Sequence, residues 1–357
     1  MCFRPSKAAD PRDEASNKEI ERQIRTDARE VKHQMKLLLL GTGDSGKSTF
    51  AKQMGLVHNN GFNDPFLNSF VSILRENCLT GITGLLAFSR EQGRVLPNEK
   101  SIELAKSIES ATSLSPEVAK EIIALWKTEK VQEILLEKAD AAQIQGRKSG
   151  AIYYIENAER FAQSDYVPTT PDVLAARRKT IGIVETSFVV ERIKFTLVDV
   201  GGQRSERKKW LNCFGSVTSV IFLTAINEYD MFLEEDTKTN RLVESLKLWK
   251  ALTSSQFFKT TPFILFLNKS DLFEEKIKTV PLVNVFADFP AYAETCKNIT
   301  DFEKSWRYIA KQYTSHFAGS VFYTHLTCAV DTQACSKIFN SVRDTLTRDV
   351  INRAGFV

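Results

Sequence analysis

Gly41, Gly46, Lys47 and Ser48 fall in the stretch "GTGDSGKST" (Gly41–Thr49) at the spacing G-x-x-x-x-G-K-[ST]. Glycines at those places let a loop curl until several N–H groups face one anion, and a helix starting there adds partial positive charge. Lys47 is then placed to reach the outer phosphates and Ser48 to offer a hydroxyl to magnesium. The expected occupant is a nucleoside triphosphate. A second stretch, "LVDVGGQRSERKKW", carries an acid at the end of an apolar run, Asp199, suited to hold magnesium through water. Gly201 and Gly202 follow and allow close approach to the outermost phosphate, with the Gly202 N–H placed to bond an oxygen present only before hydrolysis. The Gln203 amide can donate and accept at once, which suits orienting a water for in-line attack on phosphorus.

A third stretch, "FILFLNKSD", bears on the base. Asp271 can accept from the N1–H and the exocyclic amine of guanine, while adenine shows no matching donor pair on that edge. Asn268 is expected on the ring's other polar edge, the Lys269 stem over its face, and the Ala329 amide of "TCAV" at the guanine oxygen. The four letters N-K-x-D serve any strand-end turn, so the string gains weight only beside the phosphate loop. Together the three stretches predict GTP over ATP.

These residues need a scaffold. "MKLLLLGTGDSGKSTFAKQM" reads as buried strand, loop and helix. "TSFVVERIKFTLVDVGG" reads as a hairpin, and "SVIFLTAI", "PFILFLNKSD" and "SVFYTHLTCAV" as further strands alternating with helices, which implies a mostly parallel sheet covered on both faces. From about Asn63 to Phe161 helical patterns dominate: "DPFLNSFVSILREN", "SIELAKSIESA" and "SPEVAKEIIALWK", the last with Ser115 as cap and Pro116 at the first helical position. That stretch reads as an all-helical insert. From Ser16 to about Met35, a Ser16/Glu19 capping box and apolar Ile20, Ile24, Ala28, Val31 and Met35 predict an amphipathic helix. Its stripe suits packing on the protein's own body or on a partner.

Whole-chain features limit the alternatives. The chain has 357 residues, 43% hydrophobic and 26% charged, enough for two domains. Its net charge of +4 comes from interleaved basic and acidic residues, so nucleic acid is not an expected partner. Six scattered cysteines lack metal or redox spacing, which fits a reducing compartment. No apolar run reaches the ~18 residues of a spanning helix, and the charged N-terminus has no signal-peptide core, so the chain is expected in the cytosol unless tethered.

Taken in order and spacing, "LLLLGTGDSGKST", "DVLAARRKTIGIVET", "DVGGQRSERKKW", "EEDTKTNRLVESLKLW", "NKSD" and "TCAV" resemble heterotrimeric G protein alpha subunits over nearly the whole chain. The helical insert separates the chain from small Ras-like GTPases. The resemblance implies an α/β fold: a Ras-like P-loop GTPase domain (36–60 and 175–357), an inserted all-α domain (61–174) and an N-terminal amphipathic helix (1–35). It implies that Arg177 is a built-in arginine finger and Gln203 the second catalytic residue. Ser48 and Thr180 would bind Mg2+ directly and Asp199 through water. GTP and GDP would contact Gly43, Asp44, Ser45, Gly46, Lys47, Ser48, Thr49, Leu174, Ala175, Arg177, Thr180, Asp199, Gly202, Asn268, Lys269, Asp271, Cys328 and Ala329. The family usually has glutamate at Asp44, able to clasp the arginine; aspartate is one methylene shorter.

The implied partners are a beta-gamma dimer on the N-terminal helix, a seven-helix receptor at the C-terminus, and effectors and GTPase-activating regulators at the switch segments. The implied location is the cytosolic face of the plasma membrane, peripherally, and the cytosol. The start "MCFRPS" lacks the family's myristoylated glycine, leaving Cys2 as the candidate lipid site, and one lipid alone binds membranes marginally. "LAARRKT" lacks an arginine often found after the leucine, and Lys148 stands where an acid commonly helps close the domain cleft. Arg353 occupies a position where some subfamilies carry a toxin-sensitive cysteine. A GTP-hydrolysing switch is the leading reading, beside a nucleotide-bound scaffold that barely hydrolyses and an ATP-driven enzyme.

Overall fold

The structure, a computed structural model, describes residues 34–59, 61–137, 147–233, 235–296, 300–319 and 321–353. The expected N-terminal helix as far as residue 33, Cys2 and the final four residues lie outside them, as do the side chains of Lys148 and Arg353. Gln34 and Met35 belong to the first strand, not to the helix predicted to run to about Met35. Its last apolar position serves the sheet, with Met35 buried in β1 (Gln34–Leu40).

β1 is apolar on both faces because it lies inside a six-stranded sheet, and Leu37–Leu40 are fully buried. The other strands are β2 (Ile183–Val190), β3 (Ile193–Val200), β4 (Ser219–Ala225), β5 (Phe263–Asn268) and β6 (Phe322–Leu326), in the order β2-β3-β1-β4-β5-β6. All neighbours pair in parallel except the β2/β3 hairpin. That hairpin turns at Glu191 and Arg192, both at positive φ. The parallel strands end together, with Leu39 opposite Asp199 and Ala225 opposite Asn268, so the loops after β1, β3 and β5 open on one edge.

α1 (Lys47–His58) follows the phosphate loop. Between α1 and β2 the described residues contain helices and no strand. They are α2 (Asp64–Asn68), α3 (Val71–Glu91), α4 (Glu99–Ser110), α5 (Pro116–Trp126), α6 (Val131–Leu136), α7 (Arg147–Glu156), α8 (Ala158–Ala162) and α9 (Thr170–Ala175). "DPFLNSFVSILREN", read as one segment, is two helices with a break at Ser69–Phe70. Ser115 caps α5 as expected, accepting from the Val118 amide, and Pro116 begins it. These helices share their own core, which includes Leu74, Ile82, Leu85, Ile122, Leu125, Ile155 and Phe161, with Ala175 and Ala176 packed at its end.

Two further cores cover the sheet faces. They involve α10 (Arg241–Thr253), α11 (Ser270–Ile277), α12 (Phe289–Thr295), α13 (Asp301–Ser315) and α14 (Thr332–Arg353). Among the described residues no helix is long and apolar enough to cross a membrane.

Candidate functional site

The phosphate loop is shaped by backbone. Gly46 sits at φ 101°, in the left-handed region, and a Cβ there would collide with the Asn268 amide, so the position needs glycine twice over. Lys47 folds back into the loop, its ammonium donating to Gly41 O (3.1 Å), Thr42 O (2.7 Å) and Ser45 Oγ (3.3 Å). Burial pushes its pKa down to about 8, against the opposing pull of Asp199 and Asp44. Those contacts put the ammonium at the loop's mouth, where the sequence expects phosphate.

Three oxygens from three segments converge beside it. Ser48 Oγ lies 2.5 Å from Asp199 Oδ2 and 2.7 Å from Thr180 Oγ1, and Thr180 Oγ1 lies 3.4 Å from the same Asp199 oxygen. Asp199 Oδ1 is buried without a hydrogen-bond partner among the described residues. Burial raises the Asp199 carboxyl above the usual range, against the attraction of Lys47 and the Ser48 hydroxyl. A buried carboxylate with an unsatisfied oxygen, next to two hydroxyls, is a donor set that fits a hard, oxygen-seeking cation such as magnesium.

Gly202 packs directly on this loop: a Cβ there would stand 2.5 Å from Lys47 Nζ and 2.5 Å from Thr42 O. A side chain at Gly202 would therefore collide with the loop expected to hold the phosphates. Gln203 caps the 3-10 segment Arg204–Cys213, and its Cγ is 3.5 Å from where a Gly43 Cβ would lie. Trp210, buried within that segment, donates to Gly201 O (2.8 Å), and Glu206 accepts from Gly182 N (2.9 Å) and Lys209.

Arg177 reaches the loop from the helical side. Its guanidinium pairs with Asp44, so the acid still reaches the arginine although it is one methylene shorter than the family's usual glutamate. Its peptide unit is fixed by Asn77 of α3: Arg177 N donates to Asn77 Oδ1 (2.8 Å), and Asn77 Nδ2 donates to Arg177 O (3.0 Å). Lys52 of α1 donates to Val173 O (2.9 Å) and Ala176 O (3.0 Å), and Tyr154 OH donates to Ala175 O (2.5 Å). Burial holds the Lys52 pKa down to about 8. Asn77, Lys52 and Tyr154 were not singled out in the sequence, since each acts on the backbone of a segment about 20 to 120 residues away.

The base-side residues also gather, with a difference. Asn268 is fully buried and all its polar atoms are engaged: Nδ2 donates to Ser45 O (2.8 Å), and Oδ1 accepts from Thr327 Oγ1 (3.1 Å) and Ala329 N (3.0 Å). Asn268 and the Ala329 amide, both expected at the guanine ring, thus meet each other, as a buried amide takes the nearest complementary groups. Asn268 braces the phosphate loop to the base-side loop. Asp271 lies in the first turn of α11 beside Cys328, whose thiol pKa is pushed up to about 11 by burial and then by that acid.

Residues 14–346 match the G-protein alpha subunit family. The chain belongs to that family. It is 38% identical over 334 residues to a guanine nucleotide-binding protein alpha-9 subunit of Dictyostelium discoideum, covering 93% of this chain and 95% of that one. It is 39% identical over 347 residues to a guanine nucleotide-binding protein G(o) subunit alpha of the sponge Geodia cydonium (95% and 94%), and 37% over 356 residues to an alpha subunit of Emericella nidulans (98% of each). The G-alpha fold, a Ras-like GTPase with a helical domain, is the architecture seen here. Family members are nucleotide-binding GTPases acting as signal transducers, and this chain is one.

Proposed function

We propose that the chain switches surface shape according to whether the guanine nucleotide it holds carries a third phosphate. The observation that carries this reading is the meeting of Ser48, Thr180 and Asp199, from segments up to 151 residues apart, against the phosphate loop. Ser48 and Thr180 would hold Mg2+ directly and Asp199 through water; the ion, when bound, would neutralise phosphate charge. The Gly202 N–H would sense the terminal phosphate, Gln203 would orient water, and Arg177, leaving Asp44, would stabilise charge building up in the transition state. Gly43, Ser45, Gly46, Lys47 and Thr49 would wrap the phosphates, Leu174 and Ala175 would line the approach from the helical side, and Lys269, Asp271 and Cys328 would frame the guanine. On this reading the Ras-like domain comprises 36–60 and 175–357, with 61–174 inserted.

Ile181, Ile183, Val184 and Leu211 are exposed apolar side chains on or beside the segments expected to move. They support contact with a beta-gamma dimer in one state and with effectors or regulators in the other, with a receptor acting at the C-terminus. Peripheral attachment at the cytoplasmic face of the plasma membrane would rely on Cys2 and the N-terminal segment. The deciding experiment is hydrogen exchange over 179–209 with GDP and with a non-hydrolysable GTP analogue, alongside phosphate release. Slower exchange with the analogue is expected. Identical exchange in both states would end the switch reading, and tighter binding of ATP than GTP would end the guanine reading.

A further inference from the structure

Five charged side chains form an unbroken line across the site: Arg177, Asp44, Arg241, Glu228 and Lys269. The two arginines meet one atom. Arg177 Nη2 pairs with Asp44 Oδ2, and Arg241 Nη1 lies 3.2 Å from that same oxygen. Arg241 Nη1 also donates to Glu228 Oε2 (3.1 Å), and Lys269 Nζ donates to Glu228 Oε1 (3.1 Å).

The two arginines are anchored differently. Arg241 is the first residue of α10 and is 6% exposed; its Nε donates to Phe232 O (2.7 Å) and its amide to Met231 O (2.8 Å). Arg177 lies on the linker after α9, held through its peptide unit, with a side chain 25% exposed. The Arg241 guanidinium is therefore the more deeply held, its side chain 7% exposed against 25% for Arg177. A carboxylate oxygen shared by two cations holds each less tightly than it would hold one alone, because the second cation offsets the charge that attracts the first.

We propose that Arg241 is a positioning residue for Arg177: by sharing Asp44 Oδ2 it loosens the clasp, so that Arg177 can move from Asp44 to a phosphate. Glu228 tunes the device by drawing Arg241 away from Asp44. The inference rests on the reading that Arg177 acts on phosphates of bound GTP.

The signs of the consequences set it apart from a merely structural role. Arg241→Gln leaves Asp44 to hold Arg177 more firmly, so hydrolysis should slow. Glu228→Gln releases Arg241 toward Asp44, so hydrolysis should quicken, although the same buried pair is broken. The test is single-turnover hydrolysis on the full chain loaded with GTP and started with Mg2+, with nucleotide loading measured in parallel. Arg241→Gln should slow the step about threefold or more, in keeping with couplings between contacting charges. The slowing should vanish when Asp44→Asn is added, and Arg241→Lys should restore much of the rate.

An equal slowing by Arg241→Gln with and without Asp44→Asn would overturn the proposal, as would slowing by Glu228→Gln. Should Arg241→Gln fail to fold, the direction of the Glu228→Gln effect decides. A wild-type chain that loads GTP and releases no phosphate overturns the parent reading and this one with it. A wild-type chain that hydrolyses, with the signs reversed, overturns this one alone.

Discussion

The helical region and the segment after β3 are held in opposite ways. The helical region has a continuous apolar core, and Asp172, deeply buried within it, is saturated. Asp172 accepts from Tyr153 OH (2.5 Å), both terminal nitrogens of Arg160 (2.6 Å each), Tyr166 OH (2.8 Å), Thr169 N (2.7 Å) and Thr169 Oγ1 (2.8 Å). Burial alone would raise its carboxyl, but those hydrogen bonds outweigh it and hold the group well below the ordinary carboxylate range. Arg204–Cys213, by contrast, form a 3-10 segment whose buried side chains are Trp210 and Cys213, and charged contacts tie the rest down. Arg204 and Arg207 both donate to Glu244 of α10, at 2.7 to 3.1 Å, and Arg204 also reaches Asp236. Apolar packing fixes a shape, whereas ion pairs whose arginines stay partly open to solvent can be remade at lower cost. On the proposed reading, the element that would deliver Arg177 is thus stiff, and the one that would read the phosphate is easily redocked.

The strongest way to break this contrast is Asp172→Asn. Leaving Arg160 and two tyrosine hydroxyls without their shared anion should cost ~2–4 kcal/mol, less than a fully buried pair because the Arg160 side chain is 39% exposed. A urea melt of the whole chain would read it, with the loss falling on the transition that reports the helical region. A change below 1 kcal/mol would mean that the apolar core alone holds α9. Next in size are Arg177→Cys and Gln203→Leu. Each should leave GTP binding in place and slow turnover by ~10²-fold or more, since one group that stabilises transition-state charge is worth about that. Turnover at the wild-type rate would show that the stiff region delivers nothing to the reaction.

The sequence showed most of what rests on local spacing. The phosphate loop between strand and helix, the β2/β3 hairpin, the Ser115 cap and the all-helical stretch could be read from short windows because backbone geometry imposes them residue by residue. What escaped is non-local. Asn77 meets Arg177 across 100 residues and Arg241 meets Asp44 across 197, and neither partner has an unusual neighbour to mark it. Asn268 was legible as part of the base motif but not as a brace, because the identity of a buried amide's partners depends on which loops fold over it. The ion pairs on Glu244 were hidden for the same reason: arginines and glutamates are common, and only the fold chooses among them.

The mildest perturbation, acidification, sharpens the contrast by addressing the charged anchor of the Arg204–Cys213 segment. Hydrogen bonds from Arg204, opposed by burial and joined by those from Arg207, hold Glu244 down to about 2, from an ordinary value of 4.5. A carboxylate depressed in the fold contributes stability in full above its unfolded pKa and loses it as pH falls through the folded one. The anchor should therefore be intact above about pH 4.5 and weaken progressively toward pH 2. With Arg204 partly exposed, the contribution should be on the order of 1 kcal/mol. Limited proteolysis within Arg204–Cys213, followed against pH in the GDP-bound chain, would show cleavage rising over that window. Glu244→Gln should show the raised cleavage already at pH 7 and lose the dependence there. A variant whose profile matched the parent's would mean that Trp210, not the ion pairs, holds the segment in place.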